Sequence, residues 1–132
     1  MNAETEEKID AIYNATVIHT GDMVELWKNP NTSTGFATQK IEMDLSKYHY
    51  IVVKAKSDSS VVDDKDVSSY DMSQIFIIKG GASVAMMNQN QLSGSVQSRT
   101  AKATDDGVFF GVGVQNAAYP IPIAIYGIEK VE

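Results

Sequence analysis

The side chains of this chain that could carry acid–base chemistry are few. They are two histidines, His19 and His49, and a group of aspartates within the segment 57–71. A general acid or base needs a titratable side chain near its working pH, or a carboxylate held in a perturbing pocket. No serine occupies a Gly-x-Ser-x-Gly elbow, and the single arginine, Arg99, is too little for a cluster that clamps an anion. The sequence therefore predicts a protein that is not an enzyme and holds no cofactor.

The aspartates of segment 58–71 raise the question of a cation site, because hard cations such as Ca²⁺ prefer several oxygen ligands. Asp63, Asp64 and Asp66 surround Lys65, and the segment lacks the glycine and the distal glutamate of an EF-hand loop. We therefore expect a solvated acidic loop, and no metal site is assigned.

Two tyrosines are candidates for ligand contact. Tyr70 and Tyr119 lie in predicted loops, where aromatic side chains can stack on sugar rings. The other aromatic side chains are predicted to belong to the core or to an interface. The possible ligand contacts are therefore Tyr70 and Tyr119.

Composition excludes several classes of protein. The 132 residues contain eleven basic and seventeen acidic side chains, a net charge of -6, and a field of this sign repels nucleic acid. The absence of cysteine excludes disulfides and thiolate zinc sites. No apolar run is long enough to span a membrane, and the acidic start does not match a signal peptide. We therefore expect no nucleic-acid partner, no membrane insertion and no export.

The chain begins with its one predicted helix, over residues 4–14. Thr5 can cap the helix, and Ile9, Ile12 and Tyr13 share a face. So short a helix is marginal alone in water, so the apolar stripe must pack on its own domain or on copies of itself in an oligomer. Ile9 and Ile12 are the candidate oligomer contacts, and the predicted division is 1–14 for this segment and 15–132 for a β domain.

From residue 15 onward the pattern changes to about nine short strands separated by turns. Alternating apolar and polar side chains with β-branched enrichment are typical of strands, and no helix period intervenes. The predicted fold class is mainly β, an antiparallel β-sandwich or jelly-roll-like domain with a short N-terminal helix. Within the strand 49–55, alternation places His49 on the same face as Ile51, Val53 and Ala55, which predicts a buried histidine.

Several motifs in fixed order resemble a known family. They are Leu26-Trp27-Lys28-Asn29-Pro30-Asn31, Phe36-Ala37-Thr38-Gln39, Met43-Asp44-Leu45-Ser46 with Tyr48, and Ile125-Tyr126-Gly127-Ile128. The order is similar to that of β-rich domains in minor structural proteins of bacteriophages and prophages, of the tail-fibre or head-fibre type. The resemblance implies a component of the virion, made in the bacterial cytoplasm, with no catalytic residues. It also implies homo-oligomers, with a trimer favoured, and other virion proteins as partners.

Three functions are compared on this basis. The first is a phage fibre or decoration module that attaches to a host-surface glycan or takes part in virion assembly. The second is a carbohydrate-binding or adhesion β-sandwich of bacterial origin. The third is a small β-sandwich hydrolase, because such folds can host paired carboxylates. The sequence favours the first.

Overall fold

The computed structural model describes residues 23–129, and this part of the chain consists of strands and connecting loops. The eight strands, in chain order, are β1 (Met23–Lys28), β2 (Gln39–Glu42), β3 (Tyr48–Lys56), β4 (Met72–Ile78), β5 (Val84–Gln89), β6 (Val96–Thr104), β7 (Gly107–Phe110) and β8 (Ile121–Glu129). The prediction of a mainly β fold is confirmed. The predicted helix 4–14 and the candidate residue His19 lie outside the described residues.

The strands form two antiparallel sheets of four strands each. The first, sheet A, has the order β1-β8-β3-β4, and the second, sheet B, has the order β2-β7-β6-β5. In each sheet at least one pair of neighbours is far apart in sequence, so the sheets form only when distant parts of the chain meet. The first and last described strands, β1 and β8, are such a pair.

Side chains from both sheets contribute to one hydrophobic core. Ile51 and Val53 of β3 and Ile125 of β8 belong to the same buried cluster as Val108 and Phe110 of β7. These residues recur at every second position, because successive side chains of a strand point to opposite faces. The alternation seen in the sequence is therefore the packing pattern of this core.

Gly127 explains why two of the sequence motifs occur together. A Cβ atom added at Gly127 would lie 2.6 Å from Cδ1 of Tyr48 and 2.9 Å from Cδ1 of Leu26. The ring of Tyr48 therefore packs directly on the backbone of β8, which requires a residue without a side chain. The Leu-Trp, Ser-x-Tyr and Ile-Tyr-Gly-Ile segments thus meet at one point of sheet A.

The predicted burial of His49 is wrong. His49 is exposed and stacks edge-on against Tyr50, with ring centroids 4.6 Å apart, whereas Tyr48 is buried. The pairing of β3 with β8 shifts register between Tyr48 and Tyr50. Such an irregularity changes which side chains face the core, so simple alternation fails at the start of the strand.

The connections between strands differ in length at the two ends of the sheets. Because neighbouring strands within each sheet are antiparallel, the long connections 29–38, 57–71, 90–95 and 111–120 all lie at one end of the sheets, called here the loop end. The short connections 43–47, 79–83 and 105–106 lie at the other end, called here the terminal end. Met23 and Glu129, the first and last described residues, also lie at the terminal end.

Candidate binding surface at the loop end

The four long connections are joined to one another by hydrogen bonds. Thr32 Oγ1 donates to Asp63 Oδ2 at 2.7 Å, which ties the first connection to the second. Phe36 N–H donates to the carbonyl of Ala118 at 2.9 Å, which ties the first to the fourth. The hydroxyls of Ser59 and Tyr119 lie 3.2 Å apart, which ties the second to the fourth. The loop end is therefore one connected surface.

Asp71 joins the second connection to the third. Its side chain is only 6% exposed and lies 2.6 Å, through Oδ2, from Lys65 Nζ. Its other oxygen, Oδ1, accepts hydrogen bonds from the Ser57 hydroxyl at 2.9 Å and from Gln91 N–H at 3.0 Å. A buried carboxylate with three donors is satisfied, so it can hold both loops in place.

Asn90 and Lys56 make further contacts that order these connections. The side-chain amide of Asn90 donates to Asp58 Oδ2, and its oxygen Oδ1 accepts from the N–H groups of Leu92 and Ser93 at 2.9 Å each. The buried Lys56 donates to Asp63 Oδ1 at 2.7 Å and to the carbonyl of Val61 at 2.8 Å. The prediction of a solvated acidic loop therefore fails for Asp71, which is buried, and for Asp63, which is half-buried and paired with a buried lysine.

These contacts lower the pKa of both carboxyls. For Asp71, burial acts to raise the pKa, but hydrogen bonds from Lys65, Gln91 and Ser57 outweigh it and hold the pKa below the ordinary value of 3.8. For Asp63, burial again opposes the change, and the hydrogen bonds from Lys56 and Thr32 lower the pKa. Both carboxylates are therefore charged at neutral pH.

Arg99 fixes the remaining connections from inside the molecule. It is buried on the inner side of β6, and its Nη2 donates to the carbonyls of Phe36 and Ala117 at 2.8 Å each. The guanidinium also lies 5.2 Å from the centroid of the Phe36 ring, a cation–π arrangement. Burial away from water lowers the pKa of Arg99 to about 10. A buried arginine thus links the first and fourth connections.

The second and third connections enclose a surface depression with a volume of about 510 Å³. Its lining combines apolar side chains with the polar pair of Lys65 and Asp71. Leu92 is 93% exposed, and Val62 on the opposite connection is also exposed. Two exposed apolar side chains beside an ordered polar pair are the kind of surface that binding partners cover.

The two predicted contact tyrosines occupy different environments. Tyr70 is exposed and borders a neighbouring depression of about 340 Å³ together with Met87 and Val96. Tyr119 is half-buried against the core, with its hydroxyl near Ser59. The structure therefore places Tyr70 at the surface of the loop end and uses Tyr119 within the packing of that end. The candidate contacts Ile9 and Ile12 lie outside the described residues.

Sequence reasoning did not assign Lys56, Asn90, Leu92 or Arg99 to this surface. For Arg99 a signal was present, because alternation along β6 places it on the same face as the buried Ala101 and Ala103. For the others the sequence holds no comparable signal, because their partners come from distant loops.

Within residues 23–129, no group of three or more histidine, cysteine, aspartate or glutamate side chains is arranged to hold a metal ion. In the same part of the chain, no helix is long and apolar enough to cross a membrane.

Comparisons with protein-family models, with curated proteins and with solved structures give no match to this chain. The similarity to phage structural proteins therefore remains a prediction from the sequence motifs.

Proposed function

We propose that this chain is a non-enzymatic structural module of a phage virion, of the fibre or decoration type, and that its loop end makes the contact with a host-surface glycan or another virion protein. One observation carries the proposal. The four long connections gather at one end and are held there by buried polar contacts, while the described strands begin and end at the other. Loops positioned by a rigid scaffold are where binding residues concentrate.

The proposal includes the finer architecture. Inward side chains of β3 and β8 share one cluster with those of β6 and β7, which supports two sheets packed face to face as a β-sandwich. The neighbouring positions of β1 and β8 are compatible with a jelly-roll-like arrangement. The proposal also includes assembly into homo-oligomers, with a trimer favoured, since phage appendages of the resembling type are usually oligomers.

Binding to purified cell-wall glycans of candidate host bacteria tests the contact. We expect Val62→Ser combined with Leu92→Ser to lower the affinity about tenfold or more, because both substitutions remove exposed apolar contacts beside the depression. Phe109→Ser is the matched control, because Phe109 is also exposed but lies in β7 of sheet B. An equal loss in the control would locate binding elsewhere.

Further measurements separate the three functions. Hydrolysis of a bound glycan would favour the hydrolase. Mass spectrometry of purified phage particles, together with the neighbours of the gene, tests the assignment to a virion. A gene outside any cluster of capsid, tail and lysis genes, with glycan binding retained, would favour a bacterial carbohydrate-binding domain.

A further inference from the structure

The outer face of sheet A, which points away from the shared core, is unusually apolar near the terminal end. Register places Met23, Ile128, Tyr50 and Ile78 in one row across the four strands. The next row contains Glu25, Tyr126, Val52 and Phe76, of which only Glu25 is charged. Outer faces of antiparallel sheets are ordinarily polar, so two rows with a single charged residue indicate a surface that is covered.

Burial on this face is uneven. Val52 is 0% exposed although its Cα partners are Phe76 and Tyr126 of the outer rows and not residues of the core. Phe76 and Ile78 on the edge strand β4 are 43% and 56% exposed. The core shared with sheet B lies on the other face of sheet A. The face therefore has a buried centre and an apolar margin open to a further element.

We propose that residues 4–14 of the same chain pack as an amphipathic helix on this outer face, with Ile9, Ile12 and Tyr13 against the exposed Phe76 and Ile78. The first argument is the point of entry. Residues 1–22 join the described part at Met23, and Met23 itself stands in the first apolar row, paired with Ile128. The segment therefore joins the described strands beside this surface.

The second argument is reach. Three strand spacings separate β1 from β4, a distance of about 14 Å. Residues 4–14 as a helix would be about 16 Å long. The linker 15–22 can extend about 26 Å, so the helix can cross the whole face.

The third argument is the match of chemical character. The helix predicted for 4–14 has one apolar stripe and an acidic remainder, and it needs an apolar surface to be stable. The sequence leaves two surfaces on which this stripe can pack, namely the chain's own domain and other copies of the chain. The outer face of sheet A supplies the first.

Disulfide cross-linking tests this packing, because the chain has no cysteine of its own. In the full chain, Ile12→Cys is combined with Phe76→Cys or with Ile78→Cys, and Ile9→Cys is tested in the same way. We expect disulfides within one chain, formed at least about tenfold faster than in the matched pair of Ala11→Cys with Phe76→Cys, because Ala11 lies on the opposite side of the helix. Unfolding midpoints under reducing conditions establish that each variant is folded.

A second measurement uses accessibility. In the Phe76→Cys background, Ile9→Asp with Ile12→Asp should raise the maleimide labelling rate about fivefold or more, since the covering stripe is lost. Ala11→Asp with Asn14→Asp adds the same charges on the opposite side and should leave the rate unchanged.

Two outcomes overturn the inference. Cross-links formed only between chains, accompanied by a fall in particle mass for the Ile9→Asp and Ile12→Asp variant, would assign the stripe to an oligomer interface. Cross-linking no faster than in the control pairs, with unchanged labelling, would show that the segment does not cover this face. Neither outcome touches the loop end, so the proposed function is tested separately.

Discussion

The buried carboxylate of Asp71 shows how a single residue can order two loops. Its two oxygens receive donors from Ser57, Lys65 and Gln91, and its backbone carbonyl accepts from Ser57 N–H at 2.8 Å and from the Asn88 side chain at 3.2 Å. A charged acceptor makes stronger hydrogen bonds than a neutral one. Asp71→Asn removes this charge and leaves a single oxygen acceptor, because the amide nitrogen cannot accept a hydrogen bond from Lys65, Ser57 or Gln91.

This charge makes the stability of the protein depend on pH in a defined direction. The folded-state pKa of Asp71 lies below its ordinary value of 3.8, so the unfolded chain binds more protons in the acid range. The stabilising contribution is fully present above the ordinary value and is lost as the pH falls through the lower, folded-state pKa.

We therefore predict that Asp71→Asn lowers the free energy of unfolding by about 2 kcal/mol at neutral pH. The difference between this variant and the native chain should shrink at acidic pH, as the pH falls through the folded-state pKa and the native carboxyl becomes protonated as well. Urea unfolding at both pH values measures it. Asp64→Asn, in the same loop but exposed, is the control with little change at either pH. A difference independent of pH would contradict the role of the Asp71 charge.

For single residues, the sequence gives the residue type but not the hydrogen-bond partners of the side chain. The aspartates of 58–71 are visible in it, yet a buried carboxylate and an exposed one look the same there. Asp71 differs from Asp64 because Gln91 and Lys65 reach it, and Gln91 belongs to a connection twenty positions away. The position of Tyr70 at the surface could be expected from its loop, whereas the hydroxyl partner of Tyr119 could not.

At the scale of strands, the close approach of Tyr48 to Gly127 connects β3 with β8. The added Cβ would lie closer to the Tyr48 ring and to Leu26 than van der Waals contact allows, so even a methyl group must displace a packed side chain. The glycine of the Ile-Tyr-Gly-Ile motif is therefore explained by packing, without reference to a ligand.

We predict that Gly127→Ala lowers the free energy of unfolding by about 2 kcal/mol because of overpacking. In a Tyr48→Val background the same substitution should cost about 1 kcal/mol less, since the ring that blocks the methyl group has been removed. Chemical denaturation of the four proteins in this double-mutant cycle gives the coupling. Additive effects would contradict the close packing of the Tyr48 ring on Gly127.

Strand existence was predictable from the sequence because alternation and β-branched residues depend on local chemistry. The turn at Asp105-Asp106 followed by Gly107 is an example, since it joins β6 to β7 as a hairpin. The register irregularity at Tyr48 and Tyr50 was not predictable, because it depends on how β3 pairs with β8, which is distant in the chain. This irregularity is what exposes His49.

At the scale of the whole molecule, the antiparallel course of the strands separates two ends with different roles. The terminal end is closed by short turns, where Lys79 Nζ pairs with Asp105 at 2.7 Å and donates to the carbonyl of Leu45 at 3.0 Å. The loop end carries the long connections and the exposed Leu92 and Val62. The sequence shows which connections are long, but their convergence follows from strand direction and sheet order.

This polarity predicts that bulky additions at the two ends have opposite effects. A folded domain fused after the last residue of the chain leaves from the end where β8 finishes, so it should leave glycan or virion-protein binding unchanged within about twofold. The same domain inserted after the exposed Leu92 of the connection 90–95 sits beside the depression and should reduce binding at least about tenfold, while the unfolding midpoint establishes that the β domain stays folded. Insertion into the connection 79–83 is the matched control, because it also interrupts a loop but lies at the terminal end. Surface plasmon resonance on immobilised ligand measures the three affinities, and a loss in the 79–83 variant equal to that in the 90–95 variant would place the contact away from the loop end.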